Sequence, residues 1–190
     1  MLPRPTSDLV KEECDAFDEE SSTKLGEKAL RLLRQQFPLN TDPSQVLLKV
    51  LVLNKLYSAR VDDVDVFPMA RHIAGLGVDS MLERGSLDAV RLIWRCDSAG
   101  KEYYSFATKF CSWHNPSAYP IWDGNVDASL WLYKKRYQFA EFQRQDLGYY
   151  EKLVGIVDEF RNRFDLNDFT YRQIDKFLWR SGDRILRGED

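Results

Sequence analysis

The sequence predicts an all-α fold, and three observations carry that prediction. Beyond the first twenty residues, apolar side chains recur at helical spacing almost throughout the chain. The few β-rich runs, such as AYPIW at 118–122, are short and bounded by proline, so they read as extended connectors between helices. With 190 residues, 44% of them hydrophobic, the chain can bury one substantial core, which predicts a single domain over 21–190 preceded by a tail at 1–20.

The tail holds Asp8, Glu12, Glu13, Asp15, Asp18, Glu19 and Glu20 against Arg4 and Lys11, a net −5. The whole chain is −3, so the remainder is −3 + 5 = +2 and weakly basic. A flexible, solvated segment is expected at 1–20. Ser21, Ser22 or Thr23 can then cap a helix carrying Leu25, Ala29, Leu32, Leu33 and Phe37, which stops before Pro38. Asp42 followed by Pro43 is a cap and first-turn pair. It opens VLLKVLVLNKLYSAR, whose nearly all-round apolar surface predicts a central, buried helix. Residues 63–75 form the next helix, with Pro68 in its first turn and Gly75 and Gly77 ending it.

Ser86 introduces a helix over Leu87 to Cys96. Phe106, Phe110 and Trp113, at i, i+4 and i+7, predict another over 102–113. Two long helices follow over about 124–134 and 144–163, and a last one begins near Asn167 or Asp168 and carries Ile174, Phe177, Leu178 and Trp179.

Composition excludes several function classes. No apolar run approaches the length of a membrane span, and MLPRPTSDLVKEEC lacks the charged-then-apolar order of a secretory signal, so an intracellular, cytoplasmic protein is expected. Cys14, Cys96 and Cys111 are widely spaced, odd in number and without a CxxC pair, which suggests neither a disulfide framework nor a zinc site. His72 and His114 are the only histidines, too few for a His-rich metal site. No glycine loop for phosphates is present, so no metal and no cofactor is expected.

The candidate site lies in SFATKFCSWHNPSAYPIWDGNV, residues 105–126. Asp123 follows the extended AYPIW stretch and precedes a helical segment, where its side chain can cap the first amides. Trp113, His114, Tyr119 and Trp122 lie in the same stretch, and flat rings beside a carboxylate suit a flat polar ligand such as a base, although aromatic side chains also build cores. Lys109 shares a polar helical stripe with Ser105 and Ser112, opposite Phe106, Phe110 and Trp113; a solvated helix face is the favoured reading, and the functional one makes Lys109 a nucleophilic amine or phosphate anchor beside Asp123. Lys134, Lys135 and Arg136, interleaved with Tyr137, Phe139 and Phe142, are candidates for a nucleic-acid backbone contact or simply for a solubilising helix end.

The pattern YSFATKFCSWHNPSAYPIWDGNV resembles the core of helix-hairpin-helix DNA glycosylases of the 8-oxoguanine type, and VLNKLYSARVDDVDVFPMARHIAGLG is similar to the earlier helices of that fold, so the resemblance spans about residues 43–135. It implies a lysine-bearing helix, a loop, and an aspartate opening the next helix. The aspartate is carried onto Asp123. The lysine position falls on Ser105, with Lys109 one turn later, and residues 97–104 replace the family's glycine-rich hairpin. The resemblance implies a nucleic-acid partner, DNA rather than RNA, and base excision, with Lys109 as a Schiff-base amine and Asp123 assisting it, or with Asp123 assisting water. Two other readings stand beside it. One is a catalytically inactive helical module binding a nucleotide, a small ligand or a protein segment. The other is a helical interaction protein presenting Tyr171 and Trp179.

Overall fold

A computed structural model describes residues 2–96 and 102–188, and of Ser22 the backbone only. Among the described residues the chain forms ten α-helices, two short 3-10 turns and no strand. The helices form two compact units, each with its own core. The chain leaves the first unit at Ser21 and re-enters it at Pro116.

The first unit contains α1 (Ser7–Glu19), α8 (Gly124–Tyr137), α9 (Tyr150–Arg163) and α10 (Tyr171–Arg187). The acidic segment is therefore not a flexible tail. Thr6 caps α1, and Val10, Glu13 and Cys14 are buried on the face packed against α10. Charge pairing makes this packing possible: Glu13 is held by Arg180 and Arg184, and Asp18 by Lys176. Phe17 adds an edge-on contact to Trp179 at 5.8 Å. At the unit's centre, Tyr133 of α8 meets Phe160 of α9 at 5.3 Å and Phe177 of α10 at 5.9 Å. Helices α8 and α10 touch closely enough that a β-carbon on Gly182 would stand 2.0 Å from the carbonyl oxygen of Asn125. Here glycine is required by space, not by dihedral angle.

The helix expected over 144–163 is divided. A 3-10 turn covers Arg144–Gly148, and Tyr149 is extended before α9. The last helix starts later than Asn167 or Asp168. Arg161 donates to the carbonyls of Asn167 and Phe169 and holds that stretch as a connector, and Thr170 with Gln173 forms the capping box of α10.

The second unit contains α2 (Ser21–Gln36, from Ser22), α3 (Pro43–Leu56), α4 (Val66–Leu76), α5 (Asp79–Arg84), α6 (Asp88–Trp94) and α7 (Tyr104–His114). Helix α3 packs on α4 and α7, and α7 also on α5 and α6. Asp42 caps α3 through the amides of Ser44 and Gln45. The expected burial of α3 on all sides does not hold: Val46, Lys49, Val50 and Leu53 are buried, while Leu48, Leu51 and Leu56 stay 44–46% exposed. Residues 63–65 form a 3-10 turn before α4, which runs through Gly75 and ends at Gly77, whose φ of 61° suits its lack of a side chain. The short helix α5, closed by Gly85, was not anticipated. Of the hairpin position at residues 97–104, residues 97–101 lie outside the described residues.

Among the described residues no helix is long and apolar enough to cross a membrane.

Candidate functional site

The predicted site residues divide between the two units. Ser105, Lys109, Trp113 and His114 lie on α7, whereas Tyr119, Trp122, Asp123, Lys134, Lys135 and Arg136 belong to the unit of α8.

On α7 the polar stripe does not face solvent. Lys109 is 5% exposed and Ser112 is buried, because α3, α5 and α6 surround the helix. The Lys109 ammonium donates to the carbonyl of Tyr57, at the C-terminal end of α3, at 2.9 Å. Ser105, half-buried, stands one turn earlier and its carbonyl accepts from the Thr108 hydroxyl.

Trp113 and His114 end α7 inside a cluster that the sequence reading missed. Arg34 of α2 donates to the carbonyls of Trp113 at 2.8 Å and His114 at 3.3 Å, placing a cation at the negative end of the helix. Lys49 of α3 is fully buried; its ammonium donates to the Leu39 carbonyl and the Asn40 side-chain oxygen, both at 2.8 Å. Asp79 in turn accepts from the Asn40 amide and side chain. Burial lowers the Lys49 pKa to about 8, against the pull of Asp79. Burial, then Lys49, then Arg34 press His114 down to about 3, so its imidazole is neutral, and its buried Nε2 has no hydrogen-bond partner among the described residues. The signal available in the sequence was Lys49 itself, one cation inside VLLKVLVL. This cluster fixes the ends of α7 and α5; Asn115 adds bonds to the carbonyls of Leu82 and Glu83.

In the other unit, Tyr119 is wholly buried and Trp122 half-buried. Tyr119 therefore serves the core and not a ring-lined surface. Pro120 accepts from the Tyr150 hydroxyl at 3.1 Å, which holds the extended connector in place. Asp123 caps α8 as the sequence suggests: its Oδ1 accepts from the amides of Asn125 and Val126, each at 3.1 Å. At the other end of α8, about 16 Å away by helical rise, lie Lys134, Lys135 and Arg136. The ammonium groups of Lys134 and Lys135 are 5.3 and 5.2 Å from the half-buried Trp131 ring. Lys134 also donates to the Phe142 carbonyl, while Lys135 and Arg136 are exposed. One helix thus carries a positioned carboxylate at its head and an aromatic ring beside two cations at its end.

Cys14, Cys96 and Cys111 are buried. Burial raises the Cys14 thiol to about 11 and Cys111 well above its ordinary value, so neither is a ready nucleophile. Among the described residues, no group of three or more His, Cys, Asp or Glu is placed to hold a metal ion.

The family model HI_0787_N, described as an N-terminal domain, matches residues 9–118 of this chain. The chain belongs to the HI_0787_N family. An uncharacterised protein of Haemophilus influenzae is 35% identical over 180 residues, an alignment covering 92% of this chain and 83% of that relative. No solved structure matches the chain. The HI_0787_N match reaches from α1 through α7, and the comparison with the Haemophilus protein extends it over most of the remaining helices.

Proposed function

We propose that this chain is a divergent DNA-glycosylase-like protein of the cytoplasm that binds nucleic acid, DNA rather than RNA, and excises a damaged or modified base with the help of Asp123. The observation that supports this best is α8, with the Asp123 carboxylate fixed at its head, and with Lys134 and Lys135 beside the Trp131 ring and Arg136 beside the Tyr137 ring at its end. Cations beside a ring follow a phosphate backbone and offer a base a stacking surface. In the proposed reaction the bond between the sugar and the extruded base breaks, the base takes the bonding electrons, and Asp123 stabilises the positive charge on the sugar and accepts a proton from attacking water. Water is preferred over Lys109 as nucleophile, because the Lys109 ammonium is buried and bonded to Tyr57. Base release without strand cleavage is the expected product.

The same burial of Lys109 favours a second reading, a catalytically inactive module that binds nucleic acid or another ligand without chemistry. The third sequence reading loses support: Trp179 packs on Phe17, and the Tyr171 hydroxyl donates to Asp158 at 2.7 Å.

The test is base release and strand cleavage on oligonucleotides carrying 8-oxoguanine, uracil, alkylated bases or an abasic site, with borohydride trapping. Asp123→Asn retains a good capping side chain, so loss of base release in that variant reports chemistry and not unfolding. A borohydride adduct lost in Lys109→Gln would restore the amine mechanism. Binding without release on any substrate would leave the silent module, and absence of binding would end both nucleic-acid readings.

A further inference from the structure

Helices α2 and α3 leave a broad apolar surface uncovered. On α2, Leu25, Ala29 and Leu32 recur at i, i+4 and i+7, and all three are exposed, Leu25 at 70%. On α3, Leu48, Leu51 and Leu56, at i, i+3 and i+8, are exposed as well. The two helices meet where α2 begins and α3 ends. A β-carbon on Gly26 would meet the Leu56 methyls at 3.4 and 3.5 Å, and the Tyr57 hydroxyl reaches Glu27. The exposed leucines of the two helices therefore approach one another at this junction, with Leu25 next to Gly26 and Leu56 packed on it. An apolar face of this kind on a folded unit marks an interaction surface.

Charge limits what covers it. Lys24, Lys28 and Arg31 are exposed and line the edge of the α2 stripe, and exposed Lys55 stands among the leucines of α3. Of the six Lys or Arg in residues 21–56, Lys49 is buried and Arg34 is bonded to the end of α7, which leaves Lys24, Lys28, Arg31 and Lys55 at the surface of a stretch with only two acids, Glu27 and Asp42. Neither acid stands free on the face: Glu27 is taken by Tyr57, and Asp42 caps α3. A second copy of this face would bring cations against cations. A bilayer would have to accept Lys55 in the middle of its contact, and the α2 cations lie on one edge only, so an anionic lipid surface fits less well.

We propose that the α2–α3 face docks an acidic amphipathic helix of a partner protein, whose leucine-type side chains pack on Leu25, Leu32, Leu48 and Leu51 while its carboxylates meet Lys24, Lys28, Arg31 and Lys55. This is a helix-on-helix mode in which burial supplies affinity and charge supplies orientation and choice of partner. It stands independently of the reading of Asp123 and α8.

The experiment measures fluorescence anisotropy of two designed labelled peptides on the full chain. Both are amphipathic helices with leucine at i, i+3, i+4 and i+7, one with glutamate and the other with lysine along the polar edge. The glutamate peptide should bind about tenfold tighter or better at low salt, and Leu51→Glu should weaken it by about tenfold. The triple variant Lys24→Glu, Lys28→Glu, Arg31→Glu should reverse the preference towards the lysine peptide, which a merely unfolded protein does not do. Equal binding of both peptides, or binding of neither, overturns the proposal. Binding to phosphatidylglycerol vesicles in place of the peptide, lost in Leu51→Glu, overturns it in favour of a lipid surface. A concentration-dependent dimer seen by sedimentation and abolished by Leu51→Glu overturns it in favour of a second copy.

Discussion

The ammonium of Lys49 lies 5.9 Å from the centre of the Trp113 ring, with two carbonyl-type oxygens as its other partners. A lysine in the middle of an apolar helix is thus used as an internal brace. It joins the connector before α3 to the end of α7, and the cost is a charge held away from water.

That cost is readable as pH dependence. The Lys49 pKa falls from 10.5 to about 8 on folding. Between those values the unfolded chain keeps its proton and the folded chain has lost it, so this residue makes stability rise with pH, by at most about 1.4 kcal/mol per pH unit. Lys49→Met should lack this rise. Because the buried Cys14 thiol acts in the opposite sense above pH 9, the check is the difference between wild type and variant in urea unfolding at pH 7.5, 8.5 and 9.5.

His114 gives the mirror window at acid pH. Its pKa drops from 6.5 to about 3, so the unfolded chain takes up a proton through this range and the folded chain does not. Stability is lost as pH falls from 6.5 towards 3, again by at most about 1.4 kcal/mol per pH unit. An NMR titration should find the His114 ring neutral at pH 5, and His114→Phe should flatten the acid limb of unfolding.

Gly182 tests the α8–α10 crossing. An alanine there meets Asn125 backbone atoms at 2.0, 2.5 and 2.7 Å, so a helix has to shift. Gly182→Ala should cost about 3 kcal/mol and disturb the amides of Asn125 and Val126 that Asp123 caps. By contrast Gly155→Ala, with open space around it, should stabilise by about 0.5–1 kcal/mol. Denaturant unfolding with amide spectra separates the two.

Glu13 tests the placement of α1. Its carboxylate is bonded by Arg180 and Arg184 on a buried face, so Glu13→Ala should destabilise by about 1.5–3 kcal/mol. Removing residues 1–20 should lower the thermal midpoint and expose Trp179, read as a red shift in fluorescence; a detached tail would change neither.

Helix positions were legible because apolar spacing and caps are local properties. Asp42, Gly77 and Asp123 each perform the terminal role their residue type suggests. What the sequence concealed is pairing across long separations. The acids of α1 resemble a solvated segment until Arg180 and Arg184, far along the chain, are brought opposite Glu13. The polar stripe with Lys109 resembles a wet face until its ammonium finds the Tyr57 carbonyl. Conversely, α3 reads as fully buried because periodicity counts apolar residues but not the neighbours available to cover them. The division of the candidate residues between two units is likewise a property of the fold and not of any spacing.

The partnership of α1 with α10 also bears on synthesis. Glu13 and Arg180 are separated by 167 positions. At about 5–20 residues per second, the first helix leaves the ribosome roughly 8–33 s before its partner exists. During that interval α2 to α7 emerge in full and have their own core to form, while the carboxylates of α1 keep it hydrated and discourage clumping between nascent chains. Arrival of the arginines then converts those solubilising charges into a closing contact, so α1 is made well before α10 and secured only after it.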